Sequence, residues 1–251
     1  MTQGRAPGAL TGRLAVVTGA SSGIGRAIAL ELAARGTSLW LIARRPEGLE
    51  ATVAEARRHG VTARSCPLDI RSDGDLERLR DRLRGECEGL DILVHSAGAH
   101  SLGPVAEAPV AELDEQYQVN LRGPYVLTQL LLPLLRARSG QIVFVNSSAG
   151  LEARARVGAY AATKHALKGL ADALRQEVNA EGIRVLSVYP GRTATPMQEM
   201  VHQQERKPYC PDRLLQPADV AAAVVSALGM DRTAEITDIR VRPMRPNGAK
   251  P

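Results

Sequence analysis

Short apolar runs alternate along this chain with longer amphipathic stretches, and that alternation limits the fold more than any other feature. The apolar runs are LAVVT, SLWLIA, TARSCPL, DILVHSA, QIVFVNS, IRVLSVYP and EITDIRVRP. The amphipathic stretches are GIGRAIALELAARG, EGLEATVAEARRHG, SDGDLERLRDRLRGE, residues 111–138, AYAATKHALKGLADALRQEVNAEG and PADVAAAVVSALG. Buried strands that alternate with helices form a parallel sheet covered on both faces. We therefore expect an α/β fold: one doubly wound domain of the Rossmann type with about seven parallel strands.

A single domain also fits the length of 251 residues, and no break in composition or internal repeat divides the chain. We expect the domain to cover residues 11–242. Residues 1–10 and 243–251 are rich in Gly, Pro, Arg and Ala, and we interpret them as disordered tails.

Charge and composition exclude several classes of partner. The net charge is +5, but the arginines are interspersed with acids, and aromatic residues make up only 3% of the chain. That pattern indicates solvated helix faces without a platform for stacking bases, so we expect no nucleic-acid partner. No run of about 18 apolar residues and no signal peptide is present, so we expect no membrane partner. The 3 isolated cysteines favour a reducing, cytoplasmic location.

Three glycines lie where the first predicted strand turns into the first helix, in TGASSGIG. Gly19, Gly23 and Gly25 would let the backbone approach a pyrophosphate, whose charge the amides of a helix N-terminus bind. The spacing G-x-x-x-G-x-G departs from the usual G-x-G-x-x-G, and a glycine-rich turn without a ligand is the alternative. We expect three neighbouring residues to join the cofactor site: Ser21, Ser22 and Ile24.

The residues after the second and third strands bear on which dinucleotide binds. An acid after the second strand would bind the ribose 2′-hydroxyl of NAD, but this chain has Ala43 followed by Arg44 and Arg45. A guanidinium can bind a 2′-phosphate, so we expect NADP(H). Asp69, followed by Ile70, could hydrogen-bond adenine or could cap the following loop, and the sequence leaves both open.

Tyr160 and Lys164 lie four residues apart in GAYAATKHAL, and Ser147 lies thirteen residues upstream of the tyrosine. Side chains four apart share one face of a helix, so the phenol and the ammonium would point into one site. Taken alone, the pair could equally be a surface tyrosine and lysine.

TGASSGIG, Ser147, the YAATK segment and the YPG turn together resemble the short-chain dehydrogenase/reductase family in its compact single-domain form. The resemblance extends from about Leu14 to Val241, essentially the whole predicted domain.

The resemblance implies catalytic roles for four residues. Tyr160 is the general acid in carbonyl reduction, and Lys164 lowers its pKa and holds the nicotinamide ribose. Ser147, rather than its competitor Ser148, hydrogen-bonds the substrate oxygen. Asn120 matches the residue that holds a water in a proton relay, although it could also be a buried amide satisfied by the backbone.

The resemblance places further residues beside the cofactor. These are Ala97, Gly98, Pro190, Gly191, Thr193 and Thr195. The chain departs from the family at His95-Ser96, where Asn-Asn is usual, and this puts the local hydrogen bonding in doubt. We do not interpret His95 as a metal ligand, because no second ligand has suitable spacing, and we expect no metal.

The resulting expectation is an NADP(H)-dependent oxidoreductase that interconverts a carbonyl and a secondary alcohol. A 3-oxoacyl-thioester reductase, and a non-catalytic NADPH-binding sensor or scaffold, are the alternatives. The resemblance also implies a homodimer or homotetramer paired through the helices near 111–138 and 159–180. Residues 151–158 and 196–216 would set the substrate, and neither segment carries a readable code.

Basic residues are frequent in the segments expected to surround the substrate: Arg154, Arg156, Arg192, Arg206, Lys207 and Arg213. Four acids oppose them: Glu152, Glu199, Glu205 and Asp212. We expect a substrate that bears a carboxylate or phosphate, or one delivered on an acidic carrier protein. The alternative is that the basic side chains are solvated and pair with those acids.

Overall fold

A computed structural model describes residues 9–244. It contains one sheet of 7 strands in the order β3-β2-β1-β4-β5-β6-β7. Every neighbouring pair is parallel. The strands are β1 Leu14–Thr18, β2 Ser38–Ala43, β3 Ala63–Pro67, β4 Ile92–His95, β5 Gln141–Val145, β6 Arg184–Pro190 and β7 Asp238–Val241. The predicted doubly wound Rossmann-type fold is confirmed.

Helices cover both faces of this sheet. They are α1 Gly23–Ala34, α2 Pro46–Arg57, α3 Asp73–Glu86, α4 Val110–Tyr117, α5 Gly123–Arg136, α6 Gly158–Val178, α7 Pro196–Gln204 and α8 Pro217–Leu228. The strand period separates two aliphatic cores. In β1, Val17 joins Ile28 and Val224 on the α1/α8 side, whereas Val16 joins Leu127 and Leu167 on the α5/α6 side.

The long helix predicted over 111–138 is interrupted. A π-helical turn, Gln118–Arg122, separates α4 from α5 and contains the buried Asn120. Such turns recur at functional sites, because the extra residue re-aims the side chains around it. Helix α7 was not predicted at all, although Thr195 followed by Pro196 is a recognisable N-cap and first-turn pair.

Leu10, assigned from the sequence to the N-terminal tail, packs onto the domain. Leu10 is buried, and its carbonyl accepts a hydrogen bond from Thr37 Oγ1 at 2.9 Å and from the Arg13 amide at 3.3 Å. Of the two predicted tails, residues 1–8 and 245–251 lie outside the described residues. Between residues 9 and 244, no helix is both long and apolar enough to cross a membrane.

The strand order reverses between β1 and β4, which are neighbours in the sheet although the chain runs from β1 outward to β3 before returning. In open parallel sheets the crevice outside the carboxyl ends at this switch point is where ligands bind. The glycine-rich turn follows β1, and the Ser147 loop follows β5 at the same edge.

Candidate active site

The glycine-rich turn is packed so tightly at its three glycines that a side chain is excluded at each of them. Gly19 has φ +67°, and a Cβ there would lie 2.7 Å from the Ala97 amide nitrogen. A Cβ on Gly25 would overlap the Gly19 carbonyl oxygen. Gly23 has φ +56°, and its Cβ would lie 3.0 Å from Thr195 Cγ2. These glycines are therefore required by the packing of the turn itself as well as by any approach to a phosphate.

The N-terminus of α1 offers free backbone donors. Within the described chain, Ser22 stands at the N-cap position without a side-chain capping bond, and the first turn contains no acidic residue. Unpaired amides at a helix start, with the positive end of its dipole, suit an anionic group such as a pyrophosphate. Ser21 and Ile24 are half-buried beside this end, with Ile24 packed against the α1/α8 core.

The loops after β2 and β3 carry the residues expected at the adenosine end. Arg44 and Arg45 are exposed, and Arg44 Nη1 lies 3.9 Å from Glu115 Oε1. Asp69 accepts hydrogen bonds from the Arg71 backbone at 3.0 Å and from Arg71 Nη2 at 2.6 Å. The Arg71 guanidinium and this bonding hold the pKa of Asp69 below its usual range. Asp69 thus caps its loop, as the sequence allowed. A hydrogen bond from Asp69 to adenine stays a prediction.

The loop after β4 is fixed from β1. Thr18 Oγ1 accepts hydrogen bonds from the amides of Ser96 at 3.0 Å and Ala97 at 3.1 Å. His95, at the departure from the family pattern, lies 2.9 Å from Thr128 Oγ1 through Nε2 and stacks on Phe144 with centroids 4.9 Å apart. Burial lowers the pKa of His95 to about 3, so the imidazole is neutral. A side chain on helix α5 thus pairs with one His95 nitrogen, whereas the other, Nδ1, is buried without a hydrogen-bond partner among the described residues.

Ser147 and Tyr160 converge at the carboxyl end of β5. Ser147 is half-buried, whereas its competitor Ser148 is exposed. Burial raises the pKa of the Tyr160 phenol, and the neighbouring Ser147 side chain opposes that rise. Ser147 Oγ also accepts from the Ala149 amide at 3.1 Å, which fixes the hydroxyl in the turn. The serine is placed to share a ligand oxygen with the tyrosine.

Lys164 is buried on the same face of α6 as Tyr160. Its ammonium donates to the Val145 carbonyl at 3.0 Å and lies 5.8 Å from the centroid of the Tyr160 ring. Burial lowers the pKa of Lys164 to about 8. Desolvation dominates at both groups, since it raises the pKa of Tyr160 and lowers that of Lys164. The lowering of the Tyr160 pKa by Lys164 stays a prediction.

Asn120, in the π-helical turn, links the loop after β4 to helix α6. Its Oδ1 accepts from the Ala99 amide at 2.8 Å, and its Nδ2 donates to the Ala99 carbonyl at 2.9 Å and to Thr163 Oγ1 at 3.1 Å. Thr163 in turn donates to the Tyr160 carbonyl at 2.9 Å. This is the buried, satisfied amide that the sequence allowed as an alternative. A water-holding role for Asn120 stays a prediction.

The turn after β6 leads into α7, which covers the crevice. The Gly191 amide, next to Pro190, donates to the Val241 carbonyl at 2.7 Å, and Thr193 Oγ1 donates to the Gly191 carbonyl at 3.0 Å. Thr195 Oγ1 caps α7 by accepting from the Gln198 amide at 3.2 Å. A Cβ on Gly98 would lie 3.6 Å from Met197 Cε in α7, so this helix closes over the loop after β4.

Helix α7 is tied to this turn by a bidentate ion pair. Arg192 donates to the two Glu205 carboxylate oxygens at 2.6 and 3.0 Å, and Lys207 Nζ lies 3.1 Å from the same carboxylate. The Arg192 hydrogen bonds lower the pKa of Glu205 to about 2. Two of the basic residues expected to attract an anion are therefore paired. Arg154 and Arg156 are exposed and form no ion pair within residues 9–244.

Several site residues escaped prediction. Asn146, which precedes Ser147, donates to the Lys164 carbonyl at 3.0 Å and accepts from the Ser147 amide at 2.9 Å. Its place in VNSS was the one available signal. The ring of His100 packs 4.5 Å from that of Tyr160. Nothing local in the sequence marked His100, because its partner lies 60 residues away along the chain.

Metal-ligating side chains and thiols are further functional groups of the described residues. Across the part of the chain that the structure describes, no group of three or more His, Cys, Asp or Glu side chains could hold a metal ion. Cys66, Cys87 and Cys210 are free thiols, and burial raises the pKa values of Cys66 and Cys87.

Taken together, the switch-point crevice, the free helix N-terminus and the Ser147–Tyr160 pair define a dinucleotide-binding oxidoreductase of the Rossmann type. Residues 13–206 match the family model described as short chain dehydrogenase. The chain belongs to the short-chain dehydrogenase/reductase family of oxidoreductases.

Similar proteins agree with this assignment. An uncharacterised oxidoreductase of Staphylococcus aureus is 31% identical over 94% of this chain and 99% of its own. The glycine betaine reductase ATRR of Emericella nidulans is 34% identical over 94% of this chain, which spans only 19% of that protein. Among solved structures, an alcohol dehydrogenase from the archaeon Thermococcus sibiricus, complexed with 5-hydroxy-NADP, superposes with a TM-score of 0.85. It is 27% identical and covers 94% of this chain and 99% of its own.

Proposed function

We propose that this protein is an NADP(H)-dependent oxidoreductase that interconverts a carbonyl and a secondary alcohol. The observation that carries the proposal is the nearness of the Ser147 side chain to the Tyr160 phenol, whose pKa it lowers, at the same sheet edge as the free N-terminus of α1. The hydroxyl groups of Ser147 and Tyr160 can hold a substrate oxygen, and the amides at the start of α1 can hold the phosphates of a dinucleotide.

The residues that would hold the cofactor lie around the switch point. The amides at the start of α1 would receive the pyrophosphate, Arg44 the 2′-phosphate, and the Ala97–Gly98 and Pro190–Gly191 turns the sugar and nicotinamide. NADPH, when bound, supplies the hydride. Lys164 would have to exchange its bond to the Val145 carbonyl, or share it, to reach a ribose hydroxyl.

Tyr160 is proposed as the proton donor in the reducing direction. Burial raises the pKa of its phenol, so the hydroxyl is protonated at neutral pH and its proton can be donated to the substrate. Ser147 binds the same oxygen of the substrate and stabilises the charge that develops there. Asn146 supports both sides of the site, since it links the Ser147 amide to the Lys164 carbonyl.

The choice of NADPH over NADH is tested by kcat/KM with both cofactors. We expect a preference for NADPH that narrows or reverses in Arg44→Asp, because the introduced carboxylate repels the 2′-phosphate. Arg58→Asp, which introduces the same charge at another exposed arginine, serves as the matched control. Equal use of both cofactors by the wild type would contradict the assignment.

An anionic substrate, or one carried by an acidic protein, remains part of the proposal in a narrower form. Arg192 and Lys207 are engaged with Glu205, so four exposed arginines carry the argument: Arg154, Arg156, Arg206 and Arg213. Arg154 and Arg156 are tested here because they lie in the loop between Ser147 and Tyr160. Matched ketones with and without a carboxylate are compared at low and high salt. We expect Arg154→Ala and Arg156→Ala to raise KM for the charged ketone alone; equal use of both ketones at both salts would support solvated arginines instead.

A homo-oligomer is proposed from the outer surface of α4 and α5. Val110, Leu113 and Tyr117 are exposed on one side of α4, and Tyr125 is exposed on α5. Contiguous exposed apolar side chains are typical of an interface. Light scattering after size exclusion tests this: a dimer or tetramer that Leu113→Glu dissociates supports it, and a monomeric wild type contradicts it.

A non-catalytic NADPH-binding protein on this fold is the competing function. Such a protein would bind NADPH, but the absorbance of NADPH would stay unchanged with every ketone tested. The proposed enzyme would instead oxidise NADPH, and the absorbance would fall.

A further inference from the structure

We propose that His100 is a substrate-binding residue that hydrogen-bonds a second oxygen of the substrate, on one of the two carbons nearest the reacting carbonyl. The proposal rests on the proposed function and deepens it, because it names a substrate class: carbonyl compounds with an adjacent hydroxyl group, such as hydroxyketones.

The position of His100 places it at the reacting atoms. Its ring packs against that of Tyr160, with centroids 4.5 Å apart and planes tilted by 55°. The Ser147 side chain lies near enough to the phenol of this tyrosine to lower its pKa, and the substrate oxygen is proposed to bind between these two residues. A polar atom of the imidazole is therefore close to any group attached next to the reacting carbon.

Two buried amides hold His100 in this position from either side. Asn120 bonds both the amide and the carbonyl of Ala99, at 2.8 and 2.9 Å. Gln116 Nε2 donates to Ser101 Oγ at 2.7 Å, and its Oε1 accepts from the Ser101 amide at 3.3 Å. His100 is thus clamped at both neighbours by side chains that are 0% and 1% exposed. Such fixed backbone makes the imidazole a preorganised group.

One nitrogen of this imidazole lacks a protein partner. Within residues 9–244, His100 Nδ1 is buried and makes no hydrogen bond. Other buried side-chain atoms of the described chain, such as His95 Nδ1 and Tyr189 Oη, are also unpaired, but His100 Nδ1 alone among them belongs to a ring that contacts Tyr160. Because an unpaired buried polar atom is costly, its place beside Tyr160 points to a partner that the substrate supplies. A hydroxyl group can both donate and accept, so it matches either tautomer of the imidazole.

The electrostatics suit a neutral ligand group at this point. Burial above all lowers the pKa of His100 to about 4, with the charge of Glu205 opposing this and the charges of Arg192 and Lys164 contributing to it. The ring is therefore neutral at pH 7 and makes an ordinary hydrogen bond rather than an ion pair. Sites with an unpaired buried polar group discriminate strongly against analogues that lack its partner.

The kinetic test compares 2-hydroxycyclohexanone with cyclohexanone, using NADPH consumption to obtain the ratio of their kcat/KM values. We expect the wild type to favour the hydroxyketone and His100→Phe to reduce that ratio by about 10-fold, because phenylalanine keeps the ring contact and removes both nitrogens. His100→Asn, whose amide can approach the place of Nδ1, should retain more of the ratio. His59→Phe, on an exposed turn, is the matched control. An unchanged ratio in a folded His100→Phe variant overturns the proposal.

A binding measurement keeps the proposal separate from turnover. The protein is labelled with ¹⁵N-histidine in the Tyr160→Phe background, which preserves the ring against which His100 packs. NADP⁺ is added first, and then each ketone in turn; the His100 signals are assigned by their absence from the Tyr160→Phe/His100→Phe protein. We expect the hydroxyketone, but not cyclohexanone, to shift the His100 nitrogens. A His100 signal that the hydroxyketone leaves unmoved overturns this proposal. A shifted signal with no NADPH oxidation by the wild type supports it and contradicts the proposed function instead.

Discussion

The ion pair between Arg192 and Glu205 should stabilise the cover of the crevice in a way that depends on pH. Glu205→Gln keeps the shape of the side chain and removes its charge. The carboxylate is 15% exposed and receives two hydrogen bonds from a guanidinium that is 30% exposed. The perturbation therefore acts on a partly shielded pair rather than on a freely solvated one.

The pKa of Glu205 gives the size of this effect. Its displacement from an ordinary 4.5 to about 2 corresponds to about 3 kcal/mol. Solvent screening at the partly exposed Arg192 and the exposed Lys207 reduces this to about 1–2 kcal/mol. For a chain of this size, that loss lowers Tm by about 2–8 °C.

The sign of the pH dependence follows from the lowered pKa. Because the folded value lies below the unfolded one, the stabilisation is fully present above about pH 4.5 and is lost as the pH falls toward 2. The free energy of unfolding is measured with urea at pH 7 and pH 3 for the wild type and Glu205→Gln. We expect the difference between the two proteins to shrink at pH 3.

The matched control is Glu199→Gln, on the exposed side of α7 and without an ion pair in the described chain. It should change the free energy of unfolding by less than about 0.5 kcal/mol. A Glu205→Gln protein as stable as the wild type at pH 7, or a difference that is the same at both pH values, would refute the reasoning.

Three further predictions concern the frame of the site. Gly25→Ala should lose about 1–3 kcal/mol of unfolding free energy, since its Cβ would crowd the Gly19 carbonyl. Gly169→Ala, with open space around it in α6, should gain up to about 1 kcal/mol. Urea unfolding measures both variants, and equal effects would contradict the packing argument. Asn146→Ala should cost about 2 kcal/mol and lower kcat/KM, because it separates the Ser147 amide from the Lys164 carbonyl; wild-type kinetics would contradict this. The lowered pKa of Lys164 should make the free energy of unfolding rise between pH 8 and 10.5 when no cofactor is added. Lys164→Met should abolish that rise. A rise that persists in this variant would contradict its assignment to Lys164.

The parts of this protein that could be predicted from the sequence are those encoded locally. Strand and helix periods determine the layers of the sheet, and the glycines of TGASSGIG mark a turn that admits no side chains. The four-residue spacing of Tyr160 and Lys164 on α6 likewise places both side chains on one face.

The remaining features depend on contacts between distant segments. The π-helical turn accommodates Asn120 only because Ala99 and Thr163 come within hydrogen-bond distance in the folded chain. The ammonium of Lys164 donates a hydrogen bond to the Val145 carbonyl. No residue pattern in the sequence reveals this partner. The unpaired nitrogen of His100 is also a property of the folded crevice alone.

The central claim is that Tyr160 donates the proton that completes carbonyl reduction. The most direct measurement is kcat of Tyr160→Phe, with NADPH and the best ketone found for the wild type, alongside NADPH binding by fluorescence. The ring and the fold remain while the hydroxyl is gone, so we expect unchanged NADPH binding and a kcat lower by about 10²–10⁴-fold. A Tyr160→Phe protein that binds NADPH and retains wild-type kcat would contradict the account.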